Sequence, residues 1–270
     1  MFSSDLSVDE FALARAVGLR PVAQVMGSSI YHVGWQQQPG GWGAQLGGVS
    51  LELSVVSEAW NTARRRAFAR LEQEAALVGA DLVAGVRLTV GRHDWAAGAI
   101  EYVAVGSAMR FQGSEPAARP IVTDLSGQEF WKLWQVGERP LGVVGASTVH
   151  YIVAGWSTMR TQSGFGSSWL NQELTDFTQG VYDARETALG RMSKEARELG
   201  AAGVVGVSLV HSVEEREARG GSGRKDLVVT FHVLGTAIGQ RGSEPVELGV
   251  SPRLDLSSHR ERPHLLGGTR

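Results

Sequence analysis

Cysteine is absent from all 270 residues, which removes disulfides, thiolate metal ligands and a cysteine nucleophile together. Excess charge of either sign is lacking too: 26 Lys and Arg against 28 Asp and Glu leave −2 at pH 7 and a pI near 6.4, with the signs interspersed. Such a chain carries no electrostatic footprint for nucleic acid or an anionic membrane. No apolar run approaches the ~20 residues of a membrane span, so no transmembrane segment is expected. The opening stretch, Met1 to Ser7, lacks the basic start and apolar core of a secretion signal, which makes the cytoplasm the expected location. Catalytic signatures are missing as well: there is no Gly-x-Ser-x-Gly elbow, no His-Glu-x-x-His and no Walker loop. Gly41-Trp42-Gly43 followed by Gly47 has the wrong spacing for a dinucleotide fingerprint, and no βαβ pattern surrounds it. An enzyme is therefore not expected. Nor is a cofactor, a divalent metal being the one admissible exception.

What is present is internal repetition. Ala63–Leu88 laid over Ala184–Leu209 without gaps gives 12 identities in 26 positions, against roughly one in fifteen for unrelated segments of ordinary composition. Ala63/Ala184, Arg64/Arg185, Arg70/Arg191, Glu74/Glu195, Gly79/Gly200, Gly85/Gly206 and Val86/Val207 are among them. Upstream, Asp5-Leu6-Ser7, Glu10-Phe11, Gly18 and Arg20-Pro21 recur as Asp124-Leu125-Ser126, Glu129-Phe130, Gly137 and Arg139-Pro140. Downstream, Val105–Ala108 answers to Leu234–Ala237, so insertions fall between elements. The chain reads as two tandem copies of one α+β unit, residues 1–111 and 125–240, joined by a linker at 112–124 and followed by a disordered tail at 241–270.

Each unit is expected to be a small sheet covered by a long helix, with an extra capped helix in front. Ser7 with Glu10, and Ser126 with Glu129, fit the capping box, in which serine and glutamate satisfy orphan backbone donors. An apolar β-rich stretch follows, Val22–Trp35 and Leu141–Trp156, reading as a strand or hairpin. Ala63, Ala67, Leu71, Ala75 and Val78 form one stripe on a helix spanning about Ser57–Val78, copied by Ala184, Ala188, Met192, Ala196 and Leu199. Gly79 and Gly200 stand where a left-handed C-terminal cap is wanted. In the next strand Leu82, Ala84, Val86, Leu88 and Val90 are expected to share one face, and a hairpin leads to a last strand.

The Ala/Arg-rich helix, Glu-Ala, Leu/Val-Gly-Ala, Val-x-Gly-Val and a final strand with Gly-Ser/Thr-Ala together resemble the YbjQ family, whose members carry a heavy-metal-binding label. The residues concerned are Ala63–Val86 with Val105–Ala108, and Ala184–Val207 with Leu234–Ala237. The resemblance implies small α+β units that assemble as rings, typically of five chains. It favours a non-enzymatic, homo-oligomeric assembly or binding module, with a metal-binding or metal-responsive protein as the alternative.

With cysteine absent, histidine is the commonest metal ligand left. His211 takes the position of Val90 and His232 that of Val103, on strands expected to be hairpin neighbours, and His150 is a candidate third ligand. The competing reading is three separate, hydrogen-bonded strand histidines, because a stable site wants three or four ligands at compact spacing. His32, His93, His259 and His264 form no cluster in the sequence. Trp42, Phe165 and Trp169 sit in Gly-rich loops where they could contact a planar ligand, a lipid surface or a neighbouring subunit, the competing reading being loop anchoring by burial of one ring. Trp35 and Trp156, being equivalent, are expected in the common core. Arg64, Arg65, Arg66 and Arg70 read as a solvated helix face.

Overall fold

The computed structural model describes residues 4, 6–33, 48–93, 99–113, 115, 117–162, 171–218 and 223–241. The fold is α+β. In chain order the elements are α1 (Val8–Ala16), β1 (Leu19–His32), β2 (Val49–Glu52), α2 (Ser54–Leu77), β3 (Leu82–His93), β4 (Ala99–Phe111), β5 (Ile121–Val122), α3 (Gly127–Gln135), β6 (Glu138–Val153), α4 (Trp156–Gln162), α5 (Thr175–Glu198), β7 (Gly203–Glu217) and β8 (Lys225–Gln240). One sheet has the order β1-β4-β3-β5 and the other β2-β6-β8-β7.

Both capping boxes form. The Ser7 and Ser126 hydroxyls accept from the Glu10 and Glu129 amides, and each glutamate accepts in return from the serine amide. These short helices pack on each other and on the strand ends through Ala14, Leu19, Leu82, Met109 and Phe130. The long helices begin three residues earlier than the sequence pattern indicates, on Leu53 and Leu174 as N-caps. Their alanine stripes lie against the sheets: Ala67, Leu71 and Ala75 are buried in α2, and Ala184, Ala188 and Ala196 in α5. Small side chains allow this close approach. At Gly27 a Cβ would fall 2.1 Å from the Ala67 carbonyl oxygen, so α2 rests directly on the β1 backbone.

The stretch from Val22, and its counterpart from Leu141, is one long strand in each half, the first of the two readings the sequence left open. Two expectations need correction. The face shared by Leu82 through Val90 is broken by a bulge: Gly85 has φ +62° and the β3–β4 register shifts between Ala84 and Arg87. Leu82 and Ala84 consequently join the core beside α1, while Val83 and Val86 enter the core beneath α2. The same shift occurs at Gly206, φ +66°, between Val205 and Ser208. Finally, Trp156 opens α4 and is 69% exposed, outside the core, because β6 ends at Val153 and the chain turns away. Trp35 lies outside the described residues, as does the tail beyond Arg241.

Two short strands cross between the halves. β2, which precedes the first long helix, pairs antiparallel with β6 of the second sheet, Glu52 opposite His150. β5, from the joining segment, pairs parallel with β3, Leu82 opposite Ile121.

Candidate functional site

The most elaborate polar geometry lies where α2 of the first half crosses the outer edge of β6. Residues on this edge point amides and carbonyls away from β8, and unpaired buried backbone groups are costly, about 1–3 kcal/mol each. Side chains of α2 satisfy them. Asn61 Oδ1 accepts from the Ser147 amide at 2.9 Å while its Nδ2 donates to the Ser147 carbonyl at 2.7 Å. One turn earlier Ser57 Oγ accepts from the Val149 amide at 3.0 Å, and the Leu53 amide donates to the Val149 carbonyl at 2.8 Å. Further along, the Gly145 amide donates to Glu195 on α5 at 2.7 Å, and Arg64 reaches across from α2 to both oxygens of that carboxylate at 3.1 and 3.2 Å. Arg64 is 4% exposed, which corrects the solvated reading for this arginine: its partner is on the other half of the chain. Arg65, Arg66 and Arg70 are exposed as expected. Arg191 of α5 forks onto Glu52 at the end of β2, at 2.6 and 2.8 Å.

Beneath this seam opens a cleft of 830 Å³ whose walls include Trp60, Tyr102, Ser147, His211 and His232. Ser147 Oγ lies 2.8 Å from both Tyr102 Oη and His232 Nδ1, and Trp60 packs over the imidazole with ring centroids 4.8 Å apart. Burial pushes the Tyr102 hydroxyl well above its usual range, against weaker pulls from Ser147 and Arg64, so it stays a neutral hydrogen-bonding phenol. A serine beside a histidine invites comparison with a nucleophile and its base. Here Ser147 is 1% exposed, and Asn61 takes both its amide and its carbonyl. That amide is therefore not free to stabilise an oxyanion. The cluster is built as an interior polar knot.

The three histidines singled out in the sequence fall in two places. His211 and His232 are on adjacent strands and both reach the cleft wall. His211 is directly opposite Phe231 and stacks on it at 5.4 Å, whereas His232 is opposite Val210. Directly opposed residues share a face and successive residues alternate, so the two imidazoles leave the sheet on opposite sides. His150 faces β2 instead: its Nδ1 is 3.0 Å from Ser50 Oγ, and its buried Nε2 has no hydrogen-bond partner among the described residues. Desolvation lowers its pKa below the usual 6.5, although Glu52 and Asp183 pull the other way. No group of three or more His, Asp or Glu side chains is placed to hold a metal among the described residues. Trp42, Phe165 and Trp169 lie outside them.

Sequence reasoning missed Ser57, Asn61, Ser147 and the partnership of Arg64 with Glu195. Its best available signal was that Arg64 and Glu195 recur together, as Arg185 and Glu74, in the matched segments.

The model of the YbjQ family, described as "Putative heavy-metal-binding", matches residues 141–240, from the early part of β6 to the end of β8. Over 256 residues, 90% of this chain and 87% of the relative, the sequence is 38% identical to the encapsulin nanocompartment protein Rv1762c of Mycobacterium tuberculosis (strain ATCC 25618 / H37Rv). The chain belongs to the family of that mycobacterial protein and is a relative of the YbjQ family. No solved structure matches it significantly.

Proposed function

We propose that this chain is a non-enzymatic structural subunit that assembles with copies of itself into a closed ring, most economically of five chains, in the cytoplasm. Its two halves, 1–111 and 125–240, are on this reading fused copies of one assembling unit joined through 112–124. The observation that carries the proposal is the seam: a small unit meets its neighbour through a strand, a helix face and buried charge rather than through a loose contact. A unit that interlocks with one neighbour in this way has the equipment to interlock with another. The name of the mycobacterial relative, an encapsulin nanocompartment protein, supports a role in building a compartment rather than in turning over a substrate. No helix of the described residues is long and apolar enough to cross a membrane.

Light scattering at micromolar concentration tests this. The expected mass is a multiple of 28.9 kDa, five-fold for the favoured ring, and a mass of 28.9 kDa itself would end the proposal. The same sample separates the metal reading. Chelator is expected to leave mass and melting temperature unchanged, since the folding contacts described above are made by protein groups. A loss of several degrees, reversed by Zn²⁺ or Ni²⁺ and abolished by His211→Ala, would favour metal binding through His211, His232 or His150.

A further inference from the structure

Among the described residues, the seam inside the chain has an unfilled counterpart in each half. In the second sheet the outer edge of β6 is covered by β2 and the start of α2. The matching edge of the first sheet is β1, and among the described residues no strand lies beside it. The difference is visible side chain by side chain. Val149, on the covered edge, is 2% exposed, while its equivalent Ile30 is 54% exposed. Met26 on the same open edge is likewise exposed, and its amide donates to Glu74 as that of the equivalent Gly145 donates to Glu195.

The element that would fill this edge is present in the second half, joined to no sheet among the described residues. β2 runs into its helix as Glu52-Leu53-Ser54, and the equivalent stretch before α5 reads Glu173-Leu174-Thr175. Yet Asn171–Leu174 lies outside any helix or strand, and Asn171, Gln172 and Glu173 are exposed. The same asymmetry runs along the neighbouring surfaces. Arg64 is 4% exposed and paired with Glu195, whereas its equivalent Arg185 and the matching carboxylate, Glu74, are both exposed. Val86 is 3% exposed and its equivalent Val207 is 46% exposed.

We infer that Asn171–Leu174 and the first turns of α5 dock on the β1 edge of a second copy of this chain, repeating between chains the joint that β2 and α2 make within one. This deepens the ring proposal and rests on it. The internal seam sets the register. Leu51 opposite Tyr151 becomes Gln172 opposite His32, and Glu52 opposite His150 becomes Glu173 opposite Tyr31. Three of the tying groups are retained in kind. Thr178 supplies the hydroxyl of Ser57 to the Ile30 amide, Arg185 meets Glu74 as Arg64 meets Glu195, and Arg70 meets Glu173 as Arg191 meets Glu52. One is not: Asn61 is replaced by Tyr182, which is 59% exposed, and the Ser28 carbonyl is already taken by Arg70. The joint is therefore looser at that point than the internal seam. A head-to-tail contact of this kind uses two different surfaces, so it continues until it closes on itself. It also covers an edge strand that would otherwise template aggregation.

The absence of cysteine makes the test clean. The full chain carrying His32→Cys and Gln172→Cys is oxidised and run on a denaturing gel without reductant, beside each single variant and beside Ser28→Cys with Gln172→Cys. The last pair is four residues, ~13 Å, out of register. The expected result is a ladder of covalent multimers from the in-register pair alone. If that pair disturbs assembly, Tyr31→Cys with Glu173→Cys reports the same register. No ladder from either pair in samples that keep a multiple of the chain mass, or equal ladders from the out-of-register control, overturns this joint while leaving the ring proposal standing. A monomeric mass for the unmodified chain overturns both.

Discussion

His150 shows at the scale of one side chain what the seam requires. Its imidazole sits on β6 against β2, and desolvation holds its pKa below 6.5, with Glu52 and Asp183 opposing and Arg191 assisting. A base whose folded pKa is depressed stabilises the fold while neutral. Its contribution is intact above the unfolded value near 6.5 and is lost as pH falls through the lowered folded value. Urea midpoints of the full chain are therefore expected to fall between pH 7.5 and pH 5, and His150→Gln, which cannot acquire a proton there, is expected to flatten that fall. An unchanged pH profile in the variant would show that other groups carry the dependence. The sequence placed His150 among candidate ligands because, with cysteine absent, imidazole is the commonest metal donor left. What it could not display is that Ser50, from a strand a hundred residues away in the chain, lies against Nδ1.

At the scale of elements, the local devices were legible and the exchanged ones were not. Capping boxes, alanine stripes and the glycine caps at Gly79 and Gly200, both at φ +70°, are written within a few adjacent residues, where short-range sterics and hydrogen bonding decide the outcome. The bulges at Gly85 and Gly206 were half legible. Both glycines recur at matching positions, but an unbroken alternation of apolar residues ran through them and put Leu82 and Ala84 on one face with Val86, from which the bulge separates them. These bulges divide each strand between two cores, so their backbone conformation matters more than their bulk. No atom lies within 4 Å of a Cβ built on Gly85, and at Gly206 Leu125 Cδ2 stands 3.2 Å away. Gly85→Ala is thus expected to cost only the left-handed backbone term, roughly 1–2 kcal/mol. Gly206→Ala should cost at least as much, because Leu125 must also give way. Chemical denaturation of the two variants checks the order, and a neutral Gly85→Ala would mean that the bulge relaxes. β2 and β5 left no local sign at all: four and two residues long, they are strands only because the other half offers an edge.

Over the whole molecule, these two short strands make the halves reciprocal. The first half lends β2 to the second sheet, and the segment joining the halves lends β5 to the first, while Arg64 and Asn61 fix α2 across the boundary. Thr123 and Thr236 add a hydroxyl contact of 2.8 Å, and Asp124 accepts from Thr236 beside it. The covalent link is then nearly redundant in the folded state. Joining two ends that are already held close changes the closure term only slowly with loop length, each doubling costing about 0.6 kcal/mol. A protease site inserted between Ala118 and Arg119, both exposed, should accordingly be cut without separating the fragments. After cleavage β5 remains with the second fragment and β2 with the first, so each fragment still completes the other's sheet. The two pieces are expected to co-elute at the mass of the uncut protein and to part only in denaturant. Separation in native buffer would mean that the seam is too weak to join units without a linker. It could then not serve between chains, where no linker exists, so this one cut bears on the assembly as directly as it does on the fold.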